Sequence, residues 1–324
     1  MSQLFDLSGQ VALLTGASKG MGLAMATALA EHGSKVVISS RKLDQCEEAA
    51  DHINALCGEE RAIAVACNIG YKDQLQALVD ETHARLGPID TLVANAGVNP
   101  FYGSMTDIPD EAFDKILGSN VRSNHWLCQM VGPDMLAKGR GSIMITSSTG
   151  AFAGSEVLGT YNISKLADIA LVRNLALEWG PKGVRVNAIC PGLIRTEFAR
   201  ALWDNEEAVQ RVNEATPLRR LGEADEFRGI AVYLASDASA SRCDTAPVPR
   251  NDPGTKGGGI SALIRSSFGQ ATVSIDNEGP TPELRVSCIN NITGQPGIGF
   301  VNLTPAEGHI CMVEMLQSCR DAGF

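Results

Sequence analysis

The stretch Val11-Ala12-Leu13-Leu14-Thr15-Gly16-Ala17-Ser18-Lys19-Gly20-Met21-Gly22 decides the fold. Its first four residues are apolar without a break, as in a strand buried on both faces. Three glycines follow at the spacing Gly-x-x-x-Gly-x-Gly, and an Ala-rich helical pattern then runs over 22–31. A strand that enters a glycine turn and then a helix sets backbone N–H groups and the positive end of the helix dipole beside an anion. Gly16, Gly20 and Gly22 permit a tight turn and close approach of a pyrophosphate, with Ser18, Lys19 and Met21 between them. The spacing differs from the commoner Gly-x-Gly-x-x-Gly. Its place directly after the first strand is what lifts it above an ordinary turn.

Working outward, strand-like runs at 36–39, 62–67, 91–94, 142–146 and 184–189 alternate with helical patterns at 73–85, 111–136, 161–179 and 224–234. Apolar, β-branched strands spaced by helices predict an α/β, Rossmann-like, doubly wound parallel sheet with helices on both faces. The rhythm stops near residue 238. Of the 14 prolines, those at 247, 249, 253, 280, 282, 296 and 305 fall beyond it, as does a glycine run at 257–259. We therefore divide the chain into a catalytic domain, 1–238, and an atypical tail, 239–324. In the tail only strand-like pieces at 271–275 and 284–289 and a helical pattern at 306–319 are legible.

Composition bounds the function. A content of 44% hydrophobic and 20% charged residues describes a globular chain, and its net charge of −10 repels phosphate backbones and anionic membranes. Neither nucleic acid nor membrane is expected as a partner; a small molecule is. The nine cysteines form no Cys-x-x-Cys pair, and no metal-ligand spacing stands out. Reduced thiols, the absence of a basic-then-apolar start and the absence of a run of about 18 apolar residues give a cytoplasmic expectation.

Two further clusters carry chemistry. The end of the second strand reads Ser39-Ser40-Arg41-Lys42. A basic residue there suits the 2′-phosphate of NADP(H), whereas an acidic one suits NAD(H), so NADP(H) is preferred. The plain alternative is that Arg41 and Lys42 open the next helix as solvated residues. In Tyr161-Asn162-Ile163-Ser164-Lys165 the phenol and the amine share a helix face. An ammonium beside a phenol lowers its pKa from a reference of about 10, which suits it to donate a proton to a carbonyl oxygen.

With Thr15 to Gly22, Asn95-Ala96-Gly97, Asn120, Ser148, Tyr161 with Lys165, and Pro191-Gly192 with Thr196 in this order, the chain resembles the short-chain dehydrogenase/reductase family over residues 9–236. The segments 119–124 and 176–187 look particularly like bacterial carbonyl and 3-oxoacyl reductases. The resemblance implies an NADPH-dependent reductase of ketones, aldehydes or 3-oxoacyl groups, reversible in principle. It implies Tyr161 as proton donor, Lys165 as its activator and a holder of the nicotinamide ribose, Ser148 as the substrate-orienting hydroxyl and Asn120 as the anchor of a water path. Ser147 is the alternative hydroxyl, and capping or kinking its helix the alternative role of Asn120. Asn95, Ala96 and Gly97 are expected to line the adenosine or ribose side, unless they only make a turn. Asn68, with Ile69 after it, stands where the family often has Asp, and its carbonyl oxygen can still meet an adenine amine. Ile194 and Thr196 resemble the pair that holds the carboxamide.

Substrate choice is assigned to Phe198, Leu202 and Trp203 and to the segment 154–158, with Arg195 and Arg200 as candidates for an anionic group. The family's usual last strand does not follow Asp237; Thr293-Gly294-Gln295 comes late and without the expected Asp-Gly-Gly. An insertion, a fusion or a shifted reading frame explains this. Loss of that strand leaves a sheet edge unpaired and puts in question the homo-oligomer that the resemblance implies. Two competitors remain: a silent NADP-binding protein, and an alcohol, steroid or sugar dehydrogenase working oxidatively.

Overall fold

The six apolar runs of the first 190 residues form one sheet. In the computed structural model, which describes residues 3–216, 218–240, 271–276, 283–289 and 296–302, the strands are β1 (Val11–Thr15), β2 (Lys35–Ser40), β3 (Ala62–Ala66), β4 (Thr91–Ala94), β5 (Gly141–Thr146) and β6 (Val184–Ile189). Their order is β3-β2-β1-β4-β5-β6 and every pairing is parallel. Parallel neighbours need a crossover, and helices supply it: α1 (Gly20–Glu31), α2 (Leu43–Cys57), α3 (Lys72–Leu86), α4 (Asp110–Leu117), α5 (Ser123–Lys138) and α6 (Gly159–Trp179).

Side chains alternate across each strand, so the unbroken apolar runs serve two cores at once. Ala12 and Leu14 of β1 join one core with residues of α1 and α2, whereas Val11 and Leu13 join the other with residues of α3, α5 and α6. Beyond β6 the chain forms β7 (Ile194–Arg195), α7 (Arg200–Trp203), α8 (Glu206–Ala215) and β8 (Gly222–Glu223), the last pairing parallel with β7. A 3-10 turn, Ala224–Phe227, leads into α9 (Arg228–Ala235), which returns to the first core. The C-terminal end of α9 is held by Arg185 of β6, whose guanidinium donates to the carbonyls of Ala235 and Ser236 at 3.3 and 3.4 Å. A cation suits the negative end of a helix.

Two expected helices are interrupted. The pattern over 111–136 is α4 and α5 joined through a π-helical turn, Gly118–Arg122, and the 224–234 helix begins as 3-10. The helical propensity of the residues continues through the π turn, which shifts the face without ending the helix, so propensity alone does not mark it. Among the described residues β6 pairs only with β5 and ends the sheet. β9 (Ala271–Asp276), β10 (Glu283–Ile289) and β11 (Pro296–Asn302) form a separate antiparallel sheet. Two of these match the expected strands. β11 was not expected, because Pro296, Gly297 and Gly299 weaken strand propensity. The helical pattern at 306–319 lies outside the described residues, as does Thr293-Gly294-Gln295. Among the described residues no helix is long and apolar enough to cross a membrane.

Leu92 in the middle of β4 is fully buried in the second core. Leu92→Ala is expected to cost about 2–5 kcal/mol, read as a lower urea midpoint at unchanged slope; an unchanged midpoint contradicts the packing described.

Candidate active site

Strand order reverses between β1 and β4, so the loops leaving their carboxyl ends diverge and open a crevice. The glycine turn forms one wall. Gly16 and Gly20 have φ of +63° and +60°, where a side chain is strained. Gly22 is demanded by space instead, since a Cβ there stands 2.3 Å from Gly16 O and 2.7 Å from Asn95 Nδ2. The Ala17 N–H donates to Ser39 O at 3.1 Å, which lays the turn against the end of β2. α1 starts without a side-chain cap, leaving its first N–H groups without a side-chain acceptor. Lys19 and Arg41 are exposed and form no ion pair among the described residues. Ser18 and Met21 are half-buried in the turn.

Asn95 is the staple of this region. Its Nδ2 donates to the carbonyls of Thr15 and Gly16 at 3.2 and 3.0 Å, and its Oδ1 accepts from the Thr146 hydroxyl at 3.3 Å. The Ala96 N–H donates to Thr15 Oγ1 at 3.2 Å. Asn95 thus links the ends of β1, β4 and β5 and is itself half-buried. Asn68 behaves in part likewise: its Oδ1 accepts from the Gly70 N–H at 3.1 Å, leaving one lone pair of that oxygen. Ile69 and Ile194 turn their side chains into the two cores, so only their backbone is left for a ligand. Pro191 is buried and Gly192 half-buried after β6.

The second wall is built on α6. Tyr161 and Lys165 share a face, with Lys165 Nζ 5.8 Å from the centre of the phenol ring. The ammonium is buried, donating to Thr146 O at 2.8 Å and to Asp168 Oδ2 at 3.0 Å. An ammonium has three donors, so one remains. Gly97 keeps the approach to it open, because a Cβ there stands 3.6 Å from Lys165 Nζ and 3.5 Å from Asn120 Oδ1. Asn120 sits fully buried in the π-helical turn. Its Oδ1 accepts from the Val98 N–H at 2.8 Å, and its Nδ2 donates to Val98 O and to Ser164 Oγ, both at 3.0 Å. Asn120 thus lies in the π-helical turn and, across Gly97, near the lysine.

Geometry separates the two serines. Ser147 is buried and its hydroxyl donates to Lys165 O at 2.6 Å, which locks α6 to the sheet. Ser148 is half-buried at the start of a 3-10 turn, its Oγ accepting from the Gly150 N–H at 3.1 Å. The Ser148 hydroxyl hydrogen is therefore still available to a ligand.

The segment after β6 crosses to the glycine turn. A Cβ on Gly20 lies 3.3 Å from Thr196 Cγ2, and Trp203 Nε1 donates to Thr196 O at 2.8 Å. Phe198 is exposed, with its ring centre 6.4 Å from that of Tyr161. Arg195 faces Glu223 at 3.6 Å, and Arg200 faces Glu197 at 3.6 Å and Asp204 at 3.1 Å. Four residues of the site escaped the reading of the sequence: Asp168, Asn124, Ser164 and Tyr102. Burial raises the Tyr102 pKa, with the charge of Tyr161 adding to it. A Tyr after Phe101 in a loop carries no signal of its own, and the others look like ordinary helix residues.

The crevice fits a dinucleotide. Among the described residues, Ser39 Oγ and Asn99 Oδ1 are buried without a hydrogen-bond partner after the carboxyl ends of β2 and β4, and Lys19 and Arg41 are exposed without an ion pair. Asn95→Ala removes the staple and leaves two carbonyls of the turn short of a donor, at about 1–3 kcal/mol. The Kd for NADPH is expected to rise about tenfold, with a lower unfolding midpoint; unchanged affinity by titration means the turn holds itself.

Comparison with known proteins agrees. The sequence profile of a family described as Enoyl-(Acyl carrier protein) reductase matches residues 16–242. Human Dehydrogenase/reductase SDR family member 4 is 38% identical over 255 residues, 78% of this chain and 91% of that protein. Human Dehydrogenase/reductase SDR family member 2, mitochondrial, is 39% identical over 72% of this chain and 82% of its own. Among solved structures, a gluconate 5-dehydrogenase from Burkholderia cenocepacia in complex with NADP and tartrate superposes with a TM-score of 0.70 at 30% identity, covering 74% of this chain and 92% of that one. A short-chain type dehydrogenase/reductase from Mycobacterium marinum gives 0.69 at 36% identity, with coverage of 74% and 92%. The strand order, the glycine turn and the Tyr161–Lys165 pair thus have one explanation: the chain belongs to the short-chain dehydrogenase/reductase family, enzymes that exchange hydride between NAD(P) and a CH–OH or C=O group.

Proposed function

We propose that this enzyme reduces a ketone, aldehyde or 3-oxoacyl group to the alcohol with NADPH, reversibly. The observation that carries the reading is the Tyr161–Lys165 pair, a phenol at the crevice with a buried ammonium behind its ring. NADPH, when bound, supplies the hydride. Tyr161 gives its proton to the carbonyl oxygen as charge develops there, or accepts it from the alcohol in reverse. Ser148 donates its remaining hydroxyl hydrogen to the same oxygen and fixes it. Lys165 sits behind the phenol ring, and the N–H left over from its bonds to Thr146 O and Asp168 would serve a ribose beside Gly97. Asn120 holds the loop after β4 against α6 and lies on the route by which protons are replaced. Lys19 and Arg41 meet the 2′-phosphate, and Thr196 with the backbone of Ile194 meets the carboxamide.

A second reading is favoured by Arg195 and Arg200, which already face carboxylates and are poorly placed to receive a phosphopantetheine. A small polar alcohol, such as the sugar acid named for the Burkholderia relative, then replaces the 3-oxoacyl group, and the enzyme works oxidatively. For the chain as a whole we retain residues 1–238 as the catalytic unit. The profile match ending at residue 242 supports this, as does the separate antiparallel sheet of the tail.

Loss of nicotinamide absorbance with a panel of ketones, aldehydes, sugar acids and 3-oxoacyl thioesters tests the activity. Tyr161→Phe is expected to lower kcat about a hundred- to ten-thousand-fold at unchanged NADPH affinity; an unchanged rate removes the proton donor. NADPH binding without turnover of any compound favours a silent binder. Arg41→Ala is expected to weaken NADPH binding about tenfold, from loss of a charge-assisted bond of about 1.5–3 kcal/mol, while NADH affinity holds. Equal losses for both nucleotides contradict the assignment of Arg41.

A further inference from the structure

We propose that Asp168 is a positioning residue of the reactive centre, holding Lys165 charged and in place behind Tyr161. The inference rests on the reading of Tyr161 as the proton donor and extends it. Tyr161, Lys165 and Asp168 follow at helical spacings of four and three, on one stripe of α6. The Asp168 side chain is wholly buried and that of Lys165 nearly so, at 0% and 4% exposure. Both carboxylate oxygens are in use: Oδ2 accepts from Lys165 Nζ at 3.0 Å, and Oδ1 accepts from Asn124 Nδ2 at 2.9 Å. The same Asn124 amide donates to Asn120 O at 2.6 Å, which ties the network to the π-helical turn.

Stability gives no reason for this arrangement. Replacing a buried ion pair by apolar side chains of similar volume is often neutral or stabilising, and α6 is otherwise packed with Ile169, Val172 and Leu175. Function gives one. Burial works against a charge on Lys165, the Asp168 carboxylate works for it, and the lysine ends above its ordinary pKa. Burial likewise raises Asp168, with Lys165 and Asn124 opposing. Without the carboxylate, burial prevails and the amine loses its proton at a lower pH, along with its pull on the phenol. The other titratable groups facing the cluster are Tyr102 toward Tyr161, Cys190 toward Lys165 and Cys128 toward Asp168. Burial pushes the Cys128 thiol up to about 12, so it stays neutral.

The test requires no substrate. Tyrosinate absorbance is followed against pH, and the Tyr161 contribution is taken as the difference between each protein and its Tyr161→Phe counterpart. In Asp168→Asn the midpoint is expected about one pH unit above wild type, about tenfold in the ionisation constant. Lys165→Met is expected to rise similarly, and adding Asp168→Asn to it to change little more, because the carboxylate acts through the amine. Asp168→Ser serves as a second neutral variant. A neutral variant that folds, by circular dichroism, yet titrates at or below the wild-type midpoint overturns the proposal. So does failure of both neutral variants to fold, which makes the carboxylate a requirement of the fold. The reductase reading fails separately, if Tyr161→Phe leaves carbonyl turnover unchanged.

Discussion

Strands that all run the same way must each be followed by a return across the sheet, and that constraint organises this molecule. The returns are helices, they cover both faces, and they bring every strand's carboxyl end to one edge. Where the order turns from β1 to β4, successive loops part and leave a crevice between them. The glycine turn, the Asn95 staple, Gly97 and the Lys165 ammonium all lie along that edge. None of them is near another in the chain beyond its own loop.

The cost of the arrangement is electrostatic. A charged amine beneath the sheet edge is disfavoured unless it is paired and hydrogen-bonded. Thr146 O and Asp168 meet that demand from β5 and from the next turn of α6, and Asn124 completes the carboxylate's bonds from α5. The π-helical turn at Gly118–Arg122 belongs to the same solution, since it sets both Asn120 and Asn124 toward α6. A regular helix through this region would present a different pair of residues. Such turns recur at functional sites for this reason.

Around this rigid base the variable parts are loops and short helices. The residues after β7 set Thr196 beside Gly20 and bring Phe198 toward the phenol. Tyr102 approaches from the loop after β4. Substrate choice on such scaffolds is made by segments of this kind, while the chemistry stays on the strand ends and α6.

Much of this was legible beforehand. Unbroken apolar runs such as Val11–Leu14, too short for helices and bounded by turn residues, fit strands covered on both faces, and the alternation with helical periods gave all six strands of the sheet. Tyr161 and Lys165 were readable because four residues is one helical turn, and the glycine turn because glycine takes φ near +60° without the strain a side chain brings. What the residues by themselves left open were choices between chemically equal neighbours and contacts between distant segments. Ser147 and Ser148 differ only in which faces α6. Asn95 read only as a candidate ligand contact, and its bonds to three strand ends appear once the fold brings them within reach of its amide. Asp168 looked like any helix carboxylate, and its importance arises because packing removes it from water and sets it 3.0 Å from an amine. Periodicity and backbone sterics act along the chain and can be read there; burial and the pairing of charges depend on what the fold brings together, and only the tertiary structure decided them.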